Sequence, residues 1–277
     1  MEKSDYIHDL FNLKNRVVIL TGGFGKIGTE YTEALVKADG RVAIFDIVDE
    51  PNEKLKKLSE QYPILFFKVD ITKEGEIKSA VDKVEAKWDV PTILINNAGW
   101  KASPNEATKA SVPFEDYPVE VWNEVFAINT TGSMICAKVV GGNMIKKNRK
   151  GVIINVASTY ALVAPDQRIY DYKEKKTGKK FVKDASYGAS KSALLSLTRD
   201  LAVCWAKYGI RVVAISPGGV LNPKGDPDFI SAYSSKAPIG RMANANEYNG
   251  AILFLASDAS SYMTGSNLII DGGWTAW

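Results

Sequence analysis

One histidine and two cysteines in 277 residues leave little room for several kinds of chemistry. The separated Cys136 and Cys204 and the lone His8 offer no zinc-ligand spacing, so no metal is expected. His8 lies in the charged opening MEKSDYIHDLFNLKNR, which argues against a Ser-His-Asp hydrolase triad built around it. Both cysteines fall in stretches of helical patterning and read as small buried hydrophobes rather than as a disulfide. No apolar run approaches the roughly 18 residues of a membrane span, and the opening has no apolar signal core. The expectation is a cytoplasmic protein with no membrane partner. Charge of one sign is also missing: 35 basic against 32 acidic residues, spread along the chain, give no footprint for nucleic acid.

What is present is a regular alternation. Apolar runs of strand length begin at Arg16 (RVVIL), Arg41 (RVAIFD), Ile64 (ILFFKVD), Thr92 (TILINNAG), Gly151 (GVIINVAS), Ile210 (IRVVAISP) and Asn267 (NLIID). They are continuous rather than alternating, as strands buried on both faces are. Segments of 3.6-residue apolar spacing separate them, among them IGTEYTEALVKA, EIKSAVDKVEAKW, the long stretch from Val121 to Ile145, and SYGASKSALLSLTRDLAVCWAKYG. This pattern predicts an α/β fold: a Rossmann-like, doubly wound, single parallel sheet of seven strands with helices on both faces. One domain over 1–277 is expected, with an N-terminal extension at 1–14. Two stretches break the rhythm directly after strands, 159–186 and 219–242, and they are the expected substrate loops.

The first strand runs into TGGFGKIG, Thr21 to Gly28. A strand, a glycine-rich turn and a helix together form the setting in which backbone N–H groups and a helix N-terminus meet a pyrophosphate. Gly22, Gly23, Gly25, Lys26, Ile27 and Gly28 are therefore candidate cofactor contacts. The glycines fit G-x-G-x-x-G, or a G-x-x-x-G-x-G in which Lys26 occupies a glycine position. Asp46 ends the second strand, where a carboxylate accepts hydrogen bonds from a ribose and repels a 2′-phosphate, which favours NAD over NADP.

Tyr187 and Lys191 stand at i and i+4 of a helical stretch, on one face. A phenol of pKa near 10 is a poor proton donor and acceptor at neutral pH unless a neighbouring cation stabilises its anion. Ser158 ends the fifth strand, placed to hold a substrate oxygen beside that tyrosine.

With these motifs in order, the chain resembles the short-chain dehydrogenase/reductase family from about Val17 to Gly273. Asn96-Asn97-Ala98-Gly99 matches the family's NNAG, Asn129 its helix asparagine, and Ser158, Tyr187 and Lys191 the rest of its catalytic tetrad. Ser216-Pro217-Gly218 and TGSNLIIDGG match its later signatures. The resemblance implies proton exchange at Tyr187 and a lowered phenol pKa through Lys191, which also bonds the nicotinamide ribose. It further implies substrate orientation by Ser158 and a relay water on Asn129. Asp70, Ile71, Asn97, Ala98, Gly99, Tyr187, Lys191, Pro217, Gly218 and Val220 join the implied cofactor contacts, with NNAG read as bracing rather than catalytic. A homodimer or homotetramer acting on a small molecule is implied as well. Ala164 to Tyr170, APDQRIY, resembles members associated with surface-sugar and flagellin glycosylation, implying a sugar or sugar phosphate. Two other readings are a nucleotide-sugar epimerase or dehydratase of the family's longer branch and a non-catalytic dinucleotide sensor. The C-terminal DGG argues against the first and the intact tetrad against the second.

The sequence departs from the family where Ser158 and Tyr187 stand 29 positions apart (187 − 158), a longer separation than usual. The extra residues carry Lys173, Lys175, Lys176, Lys179, Lys180 and Lys183 against Glu174 and Asp184. They fit either an electropositive lid suited to an anionic substrate or a solvated surface hairpin or helix-turn. The aromatic end, Trp274 to Trp277, fits a cover over a neighbouring subunit or over the protein's own cleft.

Overall fold

A computed structural model describes residues 6–100, 110–178 and 181–277. All seven apolar runs are strands: β1 (Val17–Thr21), β2 (Arg41–Asp46), β3 (Ile64–Lys68), β4 (Ile93–Asn96), β5 (Gly151–Val156), β6 (Ile210–Pro217) and β7 (Asn267–Ile270). They form one parallel sheet in the order β3-β2-β1-β4-β5-β6-β7. The chain reverses its direction of travel across the sheet between β1 and β4. At such a switch point the carboxyl ends of the strands open a crevice that can hold a ligand.

The strands β1 to β6 send alternate side chains to opposite faces of the sheet, where two separate cores lie. Val18, Leu20, Val42 and Ile44 pack against α2 (Lys26–Lys37), α3 (Glu53–Ser59) and α9 (Asn249–Ala256). Val17, Ile19, Ala43 and Phe45 face α4 (Glu74–Lys87), α5 (Val119–Lys146) and α7 (Ala185–Trp205). Both faces are covered, which is why these strands read as unbroken apolar runs. Truncating a core side chain such as Ile44 costs about 2–5 kcal/mol.

Several elements depart from the sequence reading. α3 begins where the Asn52 side chain accepts the Leu55 N–H, a cap within a stretch too charged to show an apolar period. The N-terminal extension is not wholly a tail, since Tyr6–Phe11 form the helix α1 and Leu13 is fully buried in the core. Cys136 is buried as expected, but Cys204 is exposed, because it lies on the outer side of α7. α5, by length and composition, could cross a membrane, contrary to the sequence expectation. Its residues Cys136, Ala137, Val140 and Met144 are instead packed on the sheet.

The long separation between Ser158 and Tyr187 is occupied by short 3₁₀ turns and α6 (Asp171–Thr177), and the second irregular stretch contains α8 (Pro227–Lys236). These two excursions pack on each other. Ile169, Tyr170, Tyr233, Ala237, Met242 and Trp274 form a third core above the carboxyl edge of the sheet. The lysine-bearing part is a short helix-turn whose outer side is exposed, in keeping with the solvated-surface reading, while Tyr170 before it packs inward, stacking on Phe229 at 5.6 Å and lying 5.0 Å from Phe181. Lys179 and Lys180 lie outside the described residues.

Candidate active site

The loop after β1 is shaped by close backbone approaches. Gly22 adopts φ +65°, and a Cβ there would lie 2.7 Å from the Ala98 Cα, so only glycine lets this turn pass under the NNAG segment. A Cβ on Gly28 would meet the Gly22 carbonyl at 2.5 Å, which holds the first turn of α2 against the loop. Gly25 is the N-cap of α2 and no side chain caps that helix, so its first N–H groups are available to an anion. Lys26 begins α2, and its ammonium reaches across to the Leu221 carbonyl at 3.2 Å. It thus ties the glycine-rich loop to the start of the segment after β6. Ile27 packs against the α2-side core.

Asp46 is buried at the end of β2. Its two carboxylate oxygens accept the Phe24 N–H at 2.9 Å and the Val48 N–H at 3.1 Å, fixing both walls of the groove beside the loop. Asp70 accepts the Thr72 N–H and hydroxyl, closing the turn after β3, while Ile71 fills the space beside Gly132. Glycines that cannot carry a side chain, an uncapped helix start and a strand-end carboxylate lie on one edge, which fits a dinucleotide's pyrophosphate and ribose.

NNAG acts as a brace. Asn96 donates to Asn155 Oδ1 at 2.9 Å and to the Ser133 carbonyl at 3.2 Å, joining β4, β5 and α5. Asn97 donates to the Thr21 and Gly22 carbonyls, and the Thr21 hydroxyl accepts the Asn97 and Ala98 N–H groups, each at 3.0 Å. Thr21 was not singled out from sequence, although its place at the mouth of the loop was a signal. Pro217 and Gly218 close β6: the Pro217 carbonyl accepts from Thr159, the Gly218 carbonyl from Tyr248, and Val220 bridges to Ala243.

The four tetrad residues converge from three elements. Asn129 sits in a π-helical stretch, Ala127–Gly132, where the widened turn leaves the regular α register. It is fully buried; its Oδ1 accepts the Trp100 N–H at 2.7 Å and its Nδ2 donates to Ser190 Oγ at 2.9 Å. Lys191 is buried and donates to the Val156 carbonyl at 2.7 Å, two residues before Ser158. Gly99 completes this corner, since a Cβ there would lie 3.5 Å from Asn129 Oδ1 and 3.9 Å from Lys191 Nζ. Tyr187, one turn before Lys191, is half-buried with the Ser158 hydroxyl in hydrogen-bonding reach. Burial raises the phenol's pKa and the Ser158 hydrogen bond works against that rise. Burial pushes the Lys191 ammonium down to about 8.

Further residues that position the phenol were missed. Asp184 caps α7, its Oδ1 accepting the Tyr187 N–H and the Ser186 hydroxyl, each at 2.7 Å, and Tyr117 OH pairs with Ser186 Oγ at 2.9 Å. An Asp three residues before Tyr187 was the available signal for this cap. Tyr160 and Tyr233, two phenols above the tetrad, flank Trp274, with ring centroids 6.4 and 4.2 Å from it. The aromatic C-terminus therefore folds over this chain's own cleft through Trp274, whereas Trp277 is largely exposed.

Comparison with known proteins agrees with this geometry. A family model described as Enoyl-(Acyl carrier protein) reductase matches residues 25–275. A sorbose reductase of Candida albicans is 31% identical, with 96% of this chain and 89% of the relative covered. An NAD-dependent glycerol dehydrogenase of Listeria innocua is 32% identical, with 96% of each covered. The crystal structure of a short chain dehydrogenase from Leptospira borgpetersenii with bound NAD⁺ superposes with a TM-score of 0.82 at 34% identity, over 97% of this chain and 95% of that one. A glycine-rich dinucleotide groove and a buried lysine beside a tyrosine, on a chain similar to these enzymes over nearly all its length, identify a member of the short-chain dehydrogenase/reductase family, an NAD(P)-dependent oxidoreductase acting on CH–OH and C=O groups.

Proposed function

We propose that the protein interconverts a secondary hydroxyl and a ketone on a polyhydroxy compound of the polyol or sugar class, with NAD preferred over NADP. One observation carries the assignment of roles: Lys191 is held buried on the Val156 carbonyl, one helical turn beyond Tyr187, whose phenol is in reach of Ser158. When bound, the dinucleotide supplies the hydride acceptor or donor. The chain's own residues handle the oxygen and its proton. Ser158 orients the substrate oxygen towards Tyr187. Tyr187 gives that oxygen a proton in reduction and takes one in oxidation. Lys191, a cation in a site of low polarity, stabilises the phenolate formed when the proton leaves. Asn129 links α5 to α7 through Ser190 and anchors a water of the proton relay.

The polyol or sugar class is supported by the named activities of the sorbose reductase and glycerol dehydrogenase relatives. The NAD preference is supported by Asp46, whose buried carboxylate would repel a 2′-phosphate, and by Lys26, which is directed to Leu221 rather than to Asp46. A homodimer or homotetramer in the cytoplasm completes the reading; Val203, 81% exposed on α7, supports a contact between copies there. Light scattering tests the assembly. The decisive test of the roles is Tyr187→Phe, expected to lower turnover by roughly 10² to 10⁴ while NADH binding, followed by its nicotinamide fluorescence, is retained. Normal turnover in that variant rejects the assignment.

A further inference from the structure

The lysines of the segment before α7 fall into two groups. The outward ones find carboxylates. Lys176 lies 3.0 Å from Asp226 and 2.8 Å from Asp228 of the facing segment, and Lys236 reaches back to Asp166 at 2.9 Å. These pairs fasten the two excursions together. Lys173 and Lys183 are placed differently. The Lys173 ammonium lies 3.5 Å from the Phe181 ring centroid and 5.9 Å from that of Tyr170, and among the described residues no carboxylate lies within ion-pair distance of it. The Lys183 ammonium lies 5.0 Å from the Tyr187 ring centroid. Its nearest carboxylate, Asp184 Oδ2, is 3.6 Å away, and the other oxygen of Asp184 is used in capping α7. Gln167 pins the Lys183 backbone from both sides, accepting its N–H at 2.8 Å and donating to its carbonyl at 3.3 Å.

Lys183 is therefore held beside the Tyr187 ring, and Lys173, over Phe181, is close enough to feel its charge. Lys173 bears the consequence: burial lowers its pKa, the charge of Lys183 lowers it further, and Asp226 offsets only part of that fall. Aromatic faces stabilise a cation only modestly, and they neither neutralise it nor offer it a hydrogen-bond acceptor. An incoming anion does both.

We propose that Lys173 and Lys183 form an anion subsite beside Tyr187 that receives a carboxylate or phosphate carried by the substrate, remote from the carbon that reacts. The inference deepens the reading of a polyhydroxy substrate and rests on Tyr187 being the proton-transfer group. Clustered positive charge raises the local concentration of such a substrate, and two ammonium donors fix its orientation over the phenol. The long separation of Ser158 from Tyr187 has its purpose in building this corner.

The test has two arms. The first compares three compounds that differ in the C1 terminal group alone, glucitol, gluconate and glucitol 1-phosphate, as substrates with NAD. The subsite predicts that kcat/KM for one of the anions exceeds that for glucitol by at least tenfold, and which anion leads separates carboxylate from phosphate. In Lys183→Gln that ratio falls at least tenfold, and Lys183→Arg restores most of it. The ratio is read because general damage to the site cancels from it. The second arm needs no turnover: malonate and inorganic phosphate are titrated calorimetrically into the NAD-saturated protein, the nucleotide keeping the glycine-rich loop occupied. Binding weakened at least tenfold in both Lys173→Gln and Lys183→Gln supports the subsite even where none of the three compounds is oxidised, an outcome that instead counts against the polyol reading. Undetectable binding to the unaltered protein, or equal binding by the variants, overturns the inference and leaves the polyol reading standing.

Discussion

Replacing Lys191 by methionine should make the nucleotide-free protein more stable while removing its activity. The buried ammonium has one hydrogen bond, to Val156, and its pKa falls from the ordinary 10.5 to about 8. At about 1.4 kcal/mol per pH unit, keeping that charge in the folded protein at neutral pH costs roughly 3 kcal/mol relative to the unfolded chain. Methionine matches the aliphatic stem and removes this cost, but it leaves the Val156 carbonyl without its donor, a loss of about 1–2 kcal/mol. The net gain near pH 7 is then about 1–2 kcal/mol. Its pH dependence has a definite sign. Between about 8 and the ordinary 10.5 the unfolded lysine still holds a proton that the folded one has released. Stability of the unaltered protein therefore rises with pH through that window, and the advantage of the variant shrinks. Urea unfolding of both proteins at about pH 7 and about pH 9.5 should show their difference moving by roughly 2 kcal/mol towards the unaltered protein. A variant already less stable by more than about 1 kcal/mol at pH 7, or a difference that ignores pH, refutes the account. Activity should fall by about 10² or more, because the phenolate loses its cation.

Asp184→Ala removes the α7 cap and leaves the Ser186 hydroxyl without its acceptor. The expected loss is about 1–2 kcal/mol by urea unfolding, with Asp184→Asn recovering most of it, and equal stability of the Ala variant would reject the capping role. Asp46→Asn should lower the ratio of kcat/KM with NAD to that with NADP by about tenfold, since the charge that repels a 2′-phosphate is gone while the amide oxygen still accepts one of the two N–H groups, Phe24 or Val48, that the carboxylate holds. An unchanged ratio would place cofactor choice elsewhere.

Local patterns were enough to read the sheet and to set Tyr187 beside Lys191. A strand buried on both faces must be a continuous apolar run, and the Tyr187 to Lys191 spacing puts both side chains on one helical face, so neither needs knowledge of a distant partner. The short helices were harder. The charged α3 depends on a single asparagine cap, and α6 and α8 have no buried stripe long enough to be seen, because their apolar residues are shared between two excursions. The π turn at Asn129 had no signature for the same reason, since its register is set by Trp100 and Ser190 on either side.

By itself, then, the order of residues determined a parallel α/β sheet, a glycine-rich turn that no larger residue could make, and the set of groups able to move a proton. The tertiary structure alone decided their surroundings. Burial of Lys191 on the Val156 carbonyl and the packing of the lysine-bearing segment on Phe229 depend on segments distant in sequence closing over one edge of the sheet. Desolvation and like-charge proximity are properties of that closure. No local pattern of residues encodes them, and they are what separates a run of surface lysines from a site that calls for an anion.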